Sequence, residues 1–129
     1  MILVVRETRG VIEQFAMGSN RDRLICQLMR SDRYDRLRVM FPVVPDDDAE
    51  REVLVHSKLV IVDDILLRVG SANLNNRSQG LDTECDLAIE ATDAEQMVAI
   101  ADLRARLLAE HLDADPESVR LAVREQGSL

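Results

Sequence analysis

The sequence predicts an α/β fold in which a mixed β-sheet is flanked by helices. Short apolar runs rich in Val, Ile and Leu, bounded by Gly, Pro and Asp, are typical of strands. Other segments place their apolar residues at the spacing of a helix. Because strands and helices are mixed along the chain without an internal repeat, we predict a single layered domain over residues 1–129.

The first part of the chain is predicted to contain two strands and one helix. Residues 2–6 form a short apolar run that is consistent with a buried strand. Residues 11–30 carry apolar side chains mainly at helical spacing, and residues 37–44 are rich in strand formers that are interrupted by prolines. The acidic stretch 45–52, PDDDAERE, is predicted to be an exposed loop.

The next part is predicted to form a hairpin followed by another strand. Residues 54–62 and 65–69 are apolar and rich in β-branched side chains. Asp63 and Asp64 separate them and are predicted to form a two-residue turn. Residues 85–91, CDLAIEA, have the pattern of a further strand.

Capping signals predict two helices after these strands. Thr92 and Glu95 have the spacing of a capping box, which would open a helix that continues to about His111. Asp115 would cap a shorter helix over residues 116–126, which begins with proline. The predicted order of elements thus ends in a pair of helices.

Composition and charge argue against a protein that coats nucleic acid. The net charge of −8 and the pI near 4.7 describe a surface that repels bulk phosphate. Only three aromatic residues are present, so few side chains could stack on bases. Nucleic acid is therefore not the expected partner, although a local basic pocket is compatible with an acidic surface.

The cysteines and the hydropathy pattern predict the cellular location of the protein. Cys26 and Cys85 lack the C-x-x-C spacing, so we expect two reduced and mostly buried thiols in a reducing compartment. No apolar run reaches the ~18 residues that a bilayer span needs. We expect the protein in the cytoplasm, or bound peripherally to the inner face of the membrane.

The central segment holds the candidate chemistry. Lys58 is the one lysine among sixteen basic residues, and it follows His56 by two positions. On a strand, side chains two residues apart share a face, so the imidazole and the ammonium would project together. The return strand leads to Ser71 and Asn73, whose hydroxyl and amide groups are further donors. Such a set of groups around one point would suit an anion, and with a nucleophile in the middle, a phosphodiester.

A longer pattern runs through the same segment and resembles a known family. The pattern H-x-K-x4-D-x6-G-S-x-N is filled by His56, Lys58, Asp63, Gly70, Ser71 and Asn73. It is the hallmark of the phospholipase D superfamily. The stretches NLNNRS and LDTECDLAIEA are also similar to the bacterial phospholipase D-like and cardiolipin-synthase-like branch. The resemblance covers about residues 37–111 and implies a phospholipase D-like half-domain.

The resemblance implies a role for each candidate residue. His56 is the expected nucleophile, which attacks phosphorus to give a phosphohistidine that water or an alcohol then resolves. Lys58 and Asn73, with help from Ser71, are expected to hold the non-bridging oxygens and to stabilise charge in the transition state. Glu84 stands where the family places a carboxylate against the other imidazole nitrogen.

Asp63 belongs to the motif, but the predicted hairpin makes it a turn residue, so we assign it structural orientation rather than proton transfer. Neither a metal nor another cofactor is expected. His56 and His111 lack further ligands at the spacing of a zinc site. The three aspartates at 46–48 lack the alternating ligands and the glycine of a calcium loop.

The family builds one active site from two such motifs, whereas this sequence contains one. We expect the chain to be the C-terminal half of a two-motif enzyme, which alone would be nearly inactive. The alternative is that two identical chains pair, so that each contributes one His56.

The expected function is that of a phosphodiesterase or phosphatidyl transferase acting on phospholipid or another phosphodiester. Two other functions remain open. They are a small homodimeric nuclease of the same superfamily and a non-catalytic assembly module.

Overall fold

The structure is a computed structural model, and it describes residues 2–4, 19–46 and 49–126. These residues form three small sheets and four helices. The chain divides into two compact units between Val55 and His56. The α/β fold class predicted from the sequence is confirmed.

The first unit contains a parallel pair of strands. Strand β1 (Ile2–Val4) pairs with β2 (Arg38–Met40), and helix α1 (Ser19–Ser31) lies between them in the chain. A parallel pair needs a long crossover connection, and α1 forms part of that connection. The predicted first strand and helix are confirmed where the structure describes them, whereas residues 5–18 lie outside the described residues.

The prediction of an exposed loop over residues 45–52 is wrong. Strand β3 (Val43–Asp46) pairs with β4 (Ala49–Glu52) in an antiparallel ribbon. Pro45 pairs with Glu50, and a proline is tolerated there because each strand of a two-stranded ribbon is an edge strand. Strand formation depends strongly on the neighbouring strand, so an acidic segment can form one against its own propensity.

The second unit is built on an antiparallel sheet in the order β5-β6-β7. These strands are Lys58–Val62, Leu66–Gly70 and Asp86–Glu90, which confirms the predicted strands apart from their ends. Strand β5 begins at Lys58 rather than at residue 54, so His56 precedes the strand instead of lying on it. The physical reason is that Gly70, the partner of Lys58, is the last residue of β6, so among the described residues the pairing of β5 with β6 ends there.

The two faces of this sheet differ in chemistry. Residues paired in register share a face, so Lys58, Gly70 and Asp86 lie in one row on the same side. The opposite face consists entirely of aliphatic side chains, which are Leu59, Ile61, Leu67, Val69, Leu87 and Ile89. All charged residues of the three strands therefore lie on a single face.

The hairpin turn has the predicted position and a left-handed backbone. Asp63 and Asp64 have φ angles of 52° and 56°, and the Ile65 N–H donates to the Val62 carbonyl over 2.9 Å. Positive φ at both central residues is the requirement of a type I′ turn, and aspartate tolerates it better than most residues. The register leaves three residues between the paired ends of the strands, rather than the predicted two, because Val62 pairs with Leu66.

Three helices complete the second unit: α2 (Asn76–Gly80), α3 (Ala94–Leu112) and α4 (Pro116–Gln126). The last two were predicted, whereas the short α2 was not. Helices α3 and α4 supply most of the buried apolar residues of the described chain, which include Ile100, Ala105, Leu108, Ala109 and Val119. Among the described helices, none is long and apolar enough to cross a membrane.

The start of α3 lies one residue later than the predicted capping box. The cap is Asp93, whose carboxylate accepts the Gln96 N–H over 2.8 Å, rather than Thr92 paired with Glu95. The Gln96 side chain in turn accepts the Thr92 N–H over 2.9 Å. Aspartate is as good an N-cap as threonine and stands one residue later, so the pattern admitted two registers.

The cysteines are free, as predicted, but they are not buried. Cys26 and Cys85 are both exposed. Cys85 lies just before β7, at the end of the sheet, where its backbone is hydrogen-bonded to Ser71 and its side chain is in solvent.

Candidate active site

The ends of three strands bring most of the candidate residues to one end of the sheet. Lys58 begins β5, Gly70 ends β6 and Asp86 begins β7, and these three are paired in one row. The remaining candidates at this end lie within a few positions of these three residues in the sequence, and they are His56, Ser71, Asn73 and Glu84. Tertiary pairing thus joins segments that are up to 28 positions apart, from 56 to 84.

His56 and Lys58 form a close pair at this end. The Lys58 Nζ lies 3.1 Å from Nδ1 and 3.0 Å from Nε2 of His56, and it donates to the His56 carbonyl over 2.7 Å. An ammonium has only protons to donate, so it favours a ring nitrogen with a free lone pair. The imidazole is exposed, and a substrate could therefore approach it from solvent.

Ser71 is held by hydrogen bonds to the residues that precede β7. Its N–H donates to the Cys85 carbonyl over 3.1 Å, and its Oγ accepts the Cys85 N–H over 2.9 Å. The hydroxyl proton is donated to Glu84 Oε2 over 2.5 Å. The structure thus brings Glu84 to Ser71, while its predicted contact with the ring of His56 stays a prediction.

Asp86 is a residue of this region that the sequence analysis missed. Its Oδ1 accepts the Ala72 N–H over 3.2 Å, and its Oδ2 accepts from Arg68 Nη2 over 2.7 Å. The Arg68 guanidinium lowers the pKa of Asp86, partial burial opposes this, and the Ala72 N–H adds to the lowering. The one signal in the sequence is that Asp86 is a second carboxylate two places after Glu84. Its importance becomes clear only from the strand register, which pairs it with Gly70.

The segment after Ser71 is ordered by a helix cap. The Asn73 carbonyl accepts the Asn75 N–H over 2.9 Å, and the Asn75 side chain caps α2 by accepting the Ser78 N–H over 2.9 Å. Asn73 itself is exposed, as a donor to a substrate has to be. The Gly-Ser-x-Asn segment is consequently held at both of its ends.

Asp63 lies apart from the other candidates. It is in the turn at the far end of β5, about 16 Å from the row of Lys58 at the rise of an extended strand. This location agrees with a role in the turn. The neighbouring Asp64 connects the turn to α3, because its two carboxylate oxygens accept from Arg104 Nε and Nη2, each over 2.7 Å.

Metal ligation receives no support from the part of the chain that the structure describes. In those residues, no group of three or more His, Cys, Asp and Glu side chains could hold a metal ion.

The fold and the site together define a class of protein: an α/β domain with an exposed imidazole and an ammonium side by side at one end of an antiparallel sheet. Residues 3–103 match the family model described as "Cardiolipin synthase, PLD-like domain". A protein of Phytophthora infestans named "Phospholipase D" is 31% identical over an alignment of 86 residues, and the match covers 57% of this chain and 5% of that relative. No solved structure gives a significant match. The chain belongs to the phospholipase D superfamily.

The matched range qualifies the predicted resemblance. It begins well before residue 37, so the early strand and helix also fall within the family match. The chain spans only about 5% of the length of the Phytophthora relative, so the match concerns one small part of that protein. At the level of the superfamily, the match supports phosphodiester chemistry.

Proposed function

We propose that this chain is one half of a phospholipase D-type phosphodiesterase or phosphatidyl transferase, which acts on phospholipid through a phosphohistidine at His56. The observation that carries the proposal is the pair of His56 and Lys58. An exposed imidazole stands within 3.1 Å of an ammonium, at the end of the sheet where the Gly-Ser-x-Asn segment begins.

The proposed reaction has two displacement steps. In the first, a nitrogen of His56 attacks phosphorus, the P–N bond forms, and the P–O bond to the leaving alcohol breaks. The leaving oxygen takes its proton from a second histidine. In the second step, water or an acceptor alcohol attacks, the P–O bond forms, and the P–N bond breaks, while the attacking oxygen gives its proton back to the second histidine. The covalent intermediate divides one difficult displacement into two easier ones.

The donors near His56 would stabilise the charge that develops on the phosphoryl oxygens. Lys58 supplies a full positive charge, and the amide of Asn73 supplies a neutral donor. The Ser71 hydroxyl donates its hydrogen bond to Glu84 in the structure. To contribute to phosphate binding as proposed, it must donate that hydrogen bond to the phosphate instead. Glu84 would stabilise the charged ring of His56 if it exchanged Ser71 for the imidazole.

A second motif is needed to complete this site, because the chain supplies one nucleophile and no partner histidine at matching spacing. We propose that the second motif comes from a missing N-terminal half or from a second copy of the chain. An enzyme in the cytoplasm, or bound peripherally to the inner face of the membrane, could reach a phospholipid substrate at the membrane surface. The net charge of −8 favours such a substrate over a nucleic acid.

The nucleophile can be tested without the second motif. A radiolabelled aryl phosphodiester releases a stable phenolate, which needs no proton from a second histidine. We expect the chain to retain an acid-labile, base-stable label on the peptide that contains His56. The variant His56→Gln should retain none, and the matched variant His111→Gln should label as the unmodified chain does. No label, or equal labelling of His56→Gln, would refute the proposal.

The origin of the second motif and the substrate class are tested by turnover. A phospholipid has an alkoxide leaving group, so its turnover needs the missing acid. Activity per chain that rises with protein concentration would support pairing of two copies. Labelling without lipid turnover at any concentration would point to an acid from another segment. Faster cleavage of single-stranded DNA than of lipid vesicles at equal salt would refute the phospholipid substrate and support the nuclease alternative.

A further inference from the structure

We propose that Asp86 is a positioning residue that holds the donor segment Gly70–Asn73 in its active geometry. The proposal rests on the proposed function in one respect, because it takes this segment to present donors to a phosphate. Asp86 is not one of the motif residues, and its place follows from the register of β6 and β7.

Gly70 provides the space that the Asp86 side chain occupies. The two residues are paired, and a Cβ at position 70 would lie 2.6 Å from Asp86 Cα and would collide with Asp86 Oδ1. Real side chains do not approach so closely, so no residue larger than glycine fits beside this carboxylate. The carboxylate therefore leans across the end of β6, toward the segment that follows Gly70.

The carboxylate bonds two groups in different parts of that strand end. One oxygen accepts from Arg68 and the other from the N–H of Ala72, over 2.7 Å and 3.2 Å. Arg68 and Gly70 occupy the same face of β6, two positions apart, so the guanidinium reaches Asp86 directly. Asp86 thereby connects the last strand residues to the donor segment.

The bond to Ala72 is one that water cannot readily replace. Ala72 is only 7% exposed, and a buried N–H without an acceptor is destabilising. The Arg68 guanidinium, and also the N–H groups of Ala72 and Ser71, lower the pKa of Asp86, so the carboxylate is ionised near neutral pH. An ionised acceptor makes a stronger hydrogen bond than a neutral one.

The position of Ala72 explains why this bond affects the site. Its neighbours in the chain are Ser71 and Asn73, so an anchored backbone N–H holds the backbone from which both side chains extend. Both Asp86 oxygens are engaged with Arg68 and Ala72, and a carboxylate would repel phosphate, so Asp86 is not expected to touch the substrate. Glu84 acts on the Ser71 hydroxyl, whereas Asp86 acts on the next backbone amide.

The test compares variants by the rate at which the 129-residue chain is labelled by the aryl phosphodiester. Asp86→Ala should lower the maximum labelling rate about tenfold, because a misplaced donor loses transition-state stabilisation. The half-saturating concentration should stay within about twofold, because the binding charge of Lys58 is intact. Asp86→Asn keeps an oxygen for the Ala72 N–H and should recover the rate to within about threefold. Glu90→Ala, on the same strand and face, is the matched control and should label at the original rate.

A labelling rate for Asp86→Ala equal to that of the unmodified chain would overturn the proposal. So would an equal loss in Asp86→Asn and Asp86→Ala at the same folded fraction, because a purely structural role predicts no rescue. If the unmodified chain is not labelled at all, the proposed function fails separately. Positioning is then decided by the amide spectrum, in which Asp86→Ala should shift the Ala72 N–H and the Asn73 side-chain resonances, and Glu90→Ala should not. If Asp86→Ala does not fold, the Ala72 resonance of Asp86→Asn decides, and an unshifted resonance refutes the proposal.

Discussion

Replacing Gly70 with alanine should open the sheet at the candidate site. The added Cβ would lie 2.6 Å from Asp86 Cα, whereas carbon atoms in contact are about 3.5–4.0 Å apart, so β6 and β7 must separate locally by about 1 Å. That separation would weaken the Ser71–Cys85 backbone bond of 3.1 Å and the Asp86 contact with Ala72. Forced overpacking of this kind costs about 1–3 kcal/mol, so we expect Gly70→Ala to lower the free energy of unfolding by about 2 kcal/mol.

Urea unfolding followed by circular dichroism measures this change. The midpoint should fall while the slope with denaturant stays the same, because the surface exposed on unfolding is unchanged. Gly80→Ala is the matched control, since a Cβ at position 80 meets nothing within 4 Å. The reasoning is wrong if Gly70→Ala and Gly80→Ala unfold within about 0.5 kcal/mol of each other, which is the ordinary range for neutral surface changes.

Two further predictions concern contacts outside the candidate site. Arg104→Met should lower the free energy of unfolding in urea by about 1–2 kcal/mol, because it leaves the partly buried Asp64 without its two charged hydrogen bonds. Arg106→Met, on the same helix and exposed, should change it little, and equal losses would contradict the assigned role of the Asp64–Arg104 pair. The Leu37 N–H donates to the Asp32 carboxylate and lowers its pKa from the ordinary 3.8. Asp32→Ala should be destabilising at neutral pH, because it removes the acceptor of that N–H. A carboxylate with a lowered pKa stabilises the fold at pH values above its ordinary pKa, and this stabilisation is lost as the pH falls through the lowered pKa. The melting temperatures of the unmodified chain and of Asp32→Ala should therefore converge in acid. A gap that stays constant or widens from pH 7 to pH 3 would contradict this.

The predicted elements that were confirmed depend on patterns along a single segment. The β-branched runs of β5 and β6, the aspartate turn between them and the apolar spacing of α3 are all local, and each was found close to its predicted place. The predictions that were wrong depend on a neighbour. Residues 45–52 form a ribbon because two strands meet, and β5 begins at Lys58 because its partner strand ends at Gly70.

The candidate site shows the same division. The spacing of His56, Lys58, Ser71 and Asn73 predicts an anion site from sequence alone, and that site stays a prediction. The contribution of Asp86 could not be predicted, because it depends on which residue of β7 stands opposite Gly70. A shift of one residue would turn every side chain of a strand to the other face.

The order of residues alone was therefore sufficient to predict the fold class, the superfamily and the motif residues, because periodicity and motif spacing are properties of a linear chain. The bond from Ser71 to Glu84 and the anchoring of Ala72 by Asp86 became evident only from the folded molecule. These contacts depend on strand register and on close packing, in which distances of a few ångströms decide whether two groups can bond. Neither strand register nor close packing can be predicted from the local sequence.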